Sequence, residues 1–394
     1  MNKLGVSSLA GAALVMCSSA NAAKLSAASA AEYAQGTYPE YLDLLKLPND
    51  AIVPADVRKN VEFLDAAFRK RGFITKQLKN DGKPMLFAEQ PNADPKRKTV
   101  LFYMHLDGQP VVPEQWDQKD PWEPVLKRRT TDDKWEEVDS AKLFNGSVDP
   151  EWRVFGRSSA DDKAPIMMLL ATMDAIKASG AAQGVNVKVI LDSEEEKGSP
   201  SINKVMSANK DLLRSDVIVI NDGPMHATNQ PTLIFGNRGA AQARLTIYGA
   251  KVPLHSGHYG NYSPNPAQRL ATLLASMKGD DGRVTIPGYY DRVKLTAADR
   301  KIMAAVPDDE AAIQKRLGIS NPDKVGNNYQ EAMQYPSLNV RGMASAAVGD
   351  KVATIVPDMA VAELDLRTTP ESDANYLTKL VETHIQKQGY HLVT

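Results

Sequence analysis

Between Lys98 and Ile220 the chain alternates short apolar runs with longer stretches that are apolar on one side only. Lys98 to His105, Asn186 to Leu191 and Ser215 to Ile220 are rich in β-branched and aromatic residues, the composition of strands buried on both faces. Between them, Asp161 to Ser179 carries Ile166, Leu169, Leu170 and Met173 at helical spacing, and Pro200 to Arg214 reads as a second helix. This order of elements predicts an α/β domain with a mostly parallel sheet and flanking helices. Its ligand site should lie off the carboxyl ends of the strands. Asn92 to Arg97, and Trp116 to Glu137 with its prolines and tryptophans, read as surface loops.

From Gly236-Asn-Arg-Gly239 onward the pattern changes. Gln242 to Tyr248 alternates like a half-exposed strand, Asn265 to Met277 is amphipathic, Ser337 to Arg341 and Ala360 to Arg367 read as strands, and Ser372 to Lys387 as a helix. That order predicts a separate α+β domain with an antiparallel sheet. The boundary falls near residues 229–238, giving a first domain over 23–232 and a second over 233–394.

The first residues read differently again. Met1-Asn-Lys3, an apolar segment through Val15 and the small residues Ala20-Asn-Ala22 have the form of a cleaved secretory signal, so a secreted or periplasmic location is expected. The segment is too short to span a bilayer, and no membrane attachment is expected after cleavage. Cys17 is the only cysteine, so a mature chain starting after Ala22 has neither disulfides nor thiolate ligands. Any metal must then be held by His, Asp and Glu. A hydrophobic share of 43% is ordinary for globular protein, and a net charge of -1 provides no field to attract nucleic acid.

Candidate chemistry gathers at the predicted strand ends. His105-Leu-Asp107 closes the first strand, Asp161-Asp162 opens a helix, Glu194-Glu195-Glu196 follows the second strand, and Asp222 follows the third. Each has a plain alternative. His-x-Asp alone is more often structural, Asp161 and Asp162 suit a helix N-cap, three acids suit a solvated turn, and Asp-Gly is a turn former. Their joint position at successive element ends favours a metal site, where two adjacent glutamates could divide metal holding from proton transfer.

Taken in order, His105-Leu-Asp107-Gly-Gln-Pro, Gly156-Arg-Ser-Ser-Ala-Asp161-Asp-Lys163, Glu195-Glu196-Lys-Gly-Ser199 and Asp222 resemble the motifs of the co-catalytic zinc peptidases that include carnosinase, aminoacylase and succinyl-diaminopimelate desuccinylase. The likeness continues through Gly236-Asn-Arg-Gly239, His255-Ser-Gly257, Thr354-Ile-Val-Pro357 and Leu366-Arg367, and is closest to the carnosinase-like dipeptidase branch. The resemblance implies a zinc-exopeptidase-like domain with an inserted ferredoxin-like lid and dimerisation domain. It also implies two divalent ions, Zn2+ first with Mn2+ or Co2+ as alternatives. One would be held by His105 and Asp222, the other by Glu196, with Asp161 bridging. Glu195 would be the general base and Asp107 the partner behind His105, and the Asp161 to Asp162 peptide would be cis. In the second domain His255 would stabilise the oxyanion across a homodimer interface, while Arg367 and Thr354 grip the substrate carboxylate.

The implied reaction is hydrolysis of a dipeptide amide bond, with a free carboxylate on the substrate, by metal-activated water. Deacylation of N-acyl amino acids is the alternative within the family. Met104, Ser158 and Ala164 stand where this family usually has glycine. In the family the chain returns from the lid to deliver a final metal histidine. The sequence as given stops at Gly389-Tyr-His-Leu-Val-Thr394, which reads as still inside the lid, so that segment is expected to be missing. His384, in an amphipathic helix, and His391, in an expected last strand, read as structural. An inactive binding or dimerisation fragment is the alternative from another class.

Overall fold

The computed structural model describes residues 27–393 apart from 92, 133, 181, 182, 224, 229, 231 and 235. The expected signal segment, Cys17 included, lies outside the described residues. Two compact units divide the chain, Met1–Met225 and His226–Thr394.

The first unit begins with helices α1 (Ala27–Leu45) and α2 (Pro54–Lys70) and the strands β1 (Ile74–Leu78) and β2 (Met85–Glu89). It continues with β3 (Thr99–His105), β4 (Val125–Arg129), β5 (Trp135–Glu137), β6 (Arg153–Phe155), α3 (Lys163–Ser179), β7 (Asn186–Asp192), α4 (Ile202–Ala208) and β8 (Val217–Ile220). Its main sheet runs in the order β1-β2-β7-β3-β8. The three strands legible in the sequence form the parallel core, β7 and β8 flanking β3, and a hairpin of β1 and β2 adds two antiparallel strands. Alternate side chains of this sheet face two cores. Phe102, Met104, Val187, Val189 and Leu191 pack beneath α1, α2 and α3, while Leu101, Ile190 and Phe87 meet Val205 and Leu213 from the α4 side.

The strand register positions the site. His105 pairs with Asp192, so β3 and β7 end level and their outgoing loops lie side by side; β8 ends opposite Tyr103 and hands the chain to Asn221 and Asp222. Several expectations need correction. β8 is an edge strand rather than one buried on both faces, with Val217, Ile218 and Ile220 each at least half exposed. The helix expected through Arg214 is regular only to Ala208, and Trp116 to Glu137 holds β4 and β5, which join β6 in a small antiparallel sheet rather than forming a loop.

The second unit contains β9 (Gly239–Tyr248), β10 (Leu254–His255), α5 (Ser256–Tyr259), α6 (Pro266–Ala275), α7 (Ala297–Met303), α8 (Glu310–Leu317), α9 (Tyr329–Ala332), β11 (Ser337–Ala344), β12 (Ile355–Val356), β13 (Met359–Thr368) and α10 (Ala374–Lys387). β13 is the middle of an antiparallel sheet ordered β11-β13-β9. On it Ala360, Ala362, Leu364 and Leu366 alternate inward against Leu270 and Leu273 of α6 and Leu377 and Val381 of α10. His384 is buried and its Nε2 lies 2.8 Å from Ser276 Oγ, which fastens α10 to the end of α6. The strand expected around His391 does not form; residues 391–393 carry no regular structure. Among the described residues no helix is long and apolar enough to cross a membrane.

Leu364 is fully buried in the central strand of this second core. Leu364→Ala is expected to lower the unfolding free energy of the unit by about 2–5 kcal/mol, read from the denaturant midpoint at unchanged slope.

Candidate metal centre

His105 is fully buried at the carboxyl end of β3, with its Nε2 2.7 Å from Asp161 Oδ1 and its Nδ1 turned towards Asp107, 3.1 Å from the backbone oxygen and 3.4 Å from Oδ1. Asp222 joins them from the end of β8. One ligand atom from each of His105, Asp161 and Asp222 lies within 4.8 Å of the others, with His105 buried and both carboxylates reaching solvent. One imidazole nitrogen and two carboxylates make a donor set suited to a divalent cation of the zinc, manganese or cobalt kind. The residues present therefore fit the ion.

A layer behind these groups fixes them. The buried Asp107 carboxylate accepts from the backbone N–H of Glu195 at 3.1 Å and of Glu196 at 3.0 Å, so it holds the turn carrying both glutamates while it orients the His105 ring. Asp162 is not the side-chain N-cap that the sequence allowed. Its buried carboxylate accepts from the backbone N–H of His105 at 3.0 Å, and α3 starts at Lys163 with no side-chain cap. The Asp161 to Asp162 peptide is cis. Glu196 stands outside the close group of three, its Oε2 accepting from Gln109 Nε2 at 2.6 Å.

The electrostatics follow from gathering carboxylates beside one imidazole. Burial alone would lower the His105 pKa, but the Asp107 hydrogen bond and the charges of Asp162, Asp107 and Asp161 carry it up to about 10. Burial pushes the Asp162 carboxyl up to about 8, against the His105 N–H bond and the His105 charge. Glu195 is also raised, by burial first and then by the charges of Asp222, Glu196 and Asp107.

In the second unit, β10 and β12 pair His255 with Ile355, which brings Thr354 alongside the His255 turn; Ser256 N–H donates to Thr354 O at 3.1 Å. His255 is exposed, its Nδ1 accepting from Gly257 N–H and its ring 4.9 Å from that of His258. Arg367, at the end of β13, is engaged by Asp365 at 3.1 Å rather than by His255 or Thr354.

Residues 235–392 match the family pattern described as the M20 peptidase dimerisation domain. The chain is 27% identical over 331 residues to a Cys-Gly metallodipeptidase of Schizosaccharomyces pombe, covering 82% of this chain and 65% of the relative. It is 27% identical over 313 residues to the human Beta-Ala-His dipeptidase, covering 77% of this chain and 56% of that one. Among solved structures, an M20 family metallo-carboxypeptidase of Sulfolobus solfataricus superposes with a TM-score of 0.68 at 26% identity, over 90% of this chain and 76% of the other. Human carnosine dipeptidase 1 shares the fold at a TM-score of 0.65 and 22% identity, over 90% and 74%. The chain is thus similar to metallodipeptidases along most of its length and to the peptidase dimerisation domain over residues 235–392. It spans 65% of the length of the fission-yeast relative and 56% of the human one.

Sequence reasoning took Asp162 for a helix cap and passed over Gln109 and Asp192. The last holds the turn after β7, accepting from Tyr103 OH, Ser199 Oγ and Glu194 N–H. Tyr103, two residues before His105, offered a weak signal for it, because strand parity places it beside β7. Arg238, in the Gly236 to Gly239 motif, also went unassigned; burial and then the charge of Arg367 lower its pKa.

The carboxylates around His105 raise its pKa, so an incoming cation competes with a proton there. Zn2+ titration of metal-free protein at pH 7 is expected to release protons, seen as a dependence of the calorimetric heat on the buffer's ionisation enthalpy. The same ion should raise the melting temperature. Asp161→Ala should lose more affinity than the roughly 10- to 100-fold typical of an outer partner.

Proposed function

We propose that this chain provides the metal-binding and dimerisation parts of a hydrolase that cleaves the amide bond of dipeptides or related small substrates bearing a free carboxylate. The observation that carries the reading is the convergence of His105, Asp161 and Asp222 on one point, beside a glutamate whose proton affinity is raised. The activities that name the relatives, a Cys-Gly metallodipeptidase and a Beta-Ala-His dipeptidase, support the substrate class.

In this reading His105 and Asp222 would hold one divalent cation and Glu196 would help hold a second, with Asp161 available to both. When bound, the cations supply a Lewis acid for the substrate carbonyl and lower the pKa of water. Glu195 takes the proton from the attacking water and returns it to the leaving amine; its raised pKa suits a group that must do both near neutral pH. Asp107 acts by holding the Glu195 backbone and the His105 ring. In a homodimer built through the second unit, His255 would face the oxyanion, and Arg367 and Thr354 the substrate carboxylate. The reading includes export by the N-terminal segment.

The test is Glu195→Gln in the full-length protein, assayed on Cys-Gly and β-Ala-His. Turnover is expected to fall about 10²- to 10⁴-fold while metal content by elemental analysis stays unchanged. Wild-type turnover by the Gln variant would remove Glu195 from the role. Faster wild-type turnover of acetylated amino acids than of dipeptides would move the activity to deacylation.

A further inference from the structure

We infer that the stretch Tyr41 to Ala51, at the end of α1, is a polar clamp that spaces three of the four loops of the metal centre, those of His105, Asp161 and Glu194, with Asn49 and Lys163 as its positioning residues. The inference rests on the metal reading above and assigns work to residues that reading leaves unused.

The loops of His105 and Asp161 are tied to this stretch by the fully buried Asn49 and Lys163, and that of Glu194 by the partly buried Lys83. Asn49 is fully buried, and its Nδ2 donates to Leu106 O at 2.8 Å, between His105 and Asp107. The same side chain faces the Ser158 hydroxyl, with Nδ2 at 3.1 Å and Oδ1 at 3.2 Å. Its backbone closes the contact: Gly108 N–H donates to Asn49 O at 2.7 Å, and Ala51 N–H donates to Gly108 O at 3.0 Å. One residue thus joins the loop of His105 to the loop of Asp161.

Lys163 secures the second loop from the other side. Fully buried, its Nζ donates to Leu44 O at 2.9 Å and Leu47 O at 2.7 Å, carbonyls at and just beyond the end of α1, the first of which also accepts from Leu47 N–H at 3.2 Å. Tyr41 OH adds a 2.5 Å bond to Ser159 O. The third loop is reached through Lys83, whose Nζ donates to Ala51 O at 3.0 Å and pairs at 2.5 Å with Glu194, the neighbour of Glu195.

The fit leaves no slack. A Cβ on Gly108 would lie 2.4 Å from Ser158 Oγ and 2.8 Å from Asn49 Oδ1. Ser158 itself holds a φ of 59°, a left-handed conformation unusual outside glycine, with its hydroxyl on Asn49. Carboxylates that repel one another cannot set their own spacing, so a framework of this kind must set it for them.

Co2+ titration of the metal-free full chain, followed by visible absorption, separates positioning from mere stability. Asn49→Ala is expected to weaken Co2+ binding about 10- to 100-fold and to shift the ligand-field bands. The control is Asn60→Ala. Asn60 is equally buried and anchors the same stretch through Pro48 O at 2.8 Å, yet contacts none of the three loops. It should lower the melting temperature of the metal-free protein while keeping wild-type affinity and spectrum. If Asn49→Ala does not fold, Ser158→Ala replaces it, with a smaller loss in the same direction. Wild-type binding by the Asn49 or Ser158 variant, or equal weakening by Asn60→Ala, overturns the clamp alone. A wild-type chain that takes up no Co2+ overturns the metal reading and the clamp with it.

Discussion

The structure turns on an unfavourable interaction, the mutual repulsion of carboxylates brought to one end of a parallel sheet. One ligand atom each of Asp161, Asp222 and His105 lies within 4.8 Å of the others, and the charges of Asp107, Asp162, Glu195 and Glu196 act on the same group. Several negative groups around one imidazole are tolerable only with compensation, which can come from protons, N–H donors or a cation. The N–H donors are visible, and the same carboxylates favour a proton on the imidazole. The His105 pKa is pushed up, and Asp107 and Asp162 each accept backbone N–H groups from the segments that carry the other acids. The acids behind the front row thus serve as struts. Two carboxylates reach solvent in front, where a cation can enter.

Much of this was legible in the sequence, because it depends on patterns that a chain cannot hide. Strands β3, β7 and β8 showed as β-branched runs, and the acids showed as interruptions directly after them. Parallel strands that end level place their next residues together whatever the loops do. His105 and Asp222 could therefore be brought together from order alone, whereas Asp161, at a helix start, joined them through the family resemblance. The second unit was legible for a different reason: Ala360 to Leu366 alternates at period two, and α10 carries its apolar residues at helical spacing.

Other features had no such signature. The β1 and β2 hairpin was missed because its strands are short and its turn, Asn80-Asp81-Gly82, lies in a polar stretch that resembles any surface loop. β8 reads as a buried strand by composition, yet it pairs on one side only, so its apolar residues are exposed. Composition reports what a strand can tolerate; pairing depends on which neighbour reaches it. Asp162 was misread for a related reason. An acid before a helix is most often a cap, but here the backbone of β3 offers a buried N–H at 3.0 Å, and a donor without access to water binds a carboxylate more strongly than a helix end in solvent.

The positions that depart from the family's glycines show how such a site absorbs change. Met104 is fully buried and fills the core under α1, α2 and α3, so its side chain points away from the metal centre into a space the core already needs filled. Ser158 takes a left-handed backbone that a glycine would adopt freely, and its hydroxyl meets the Asn49 amide. Gly108 then has to remain without a side chain, because the hydroxyl occupies the space a Cβ would need. A substitution in one loop is thus matched by a polar partner in a second and an empty position in a third. The three segments so coupled are α1's end, the His105 loop and the Asp161 loop. Such matching is what one expects if the distance between His105 and Asp161 is the quantity being kept.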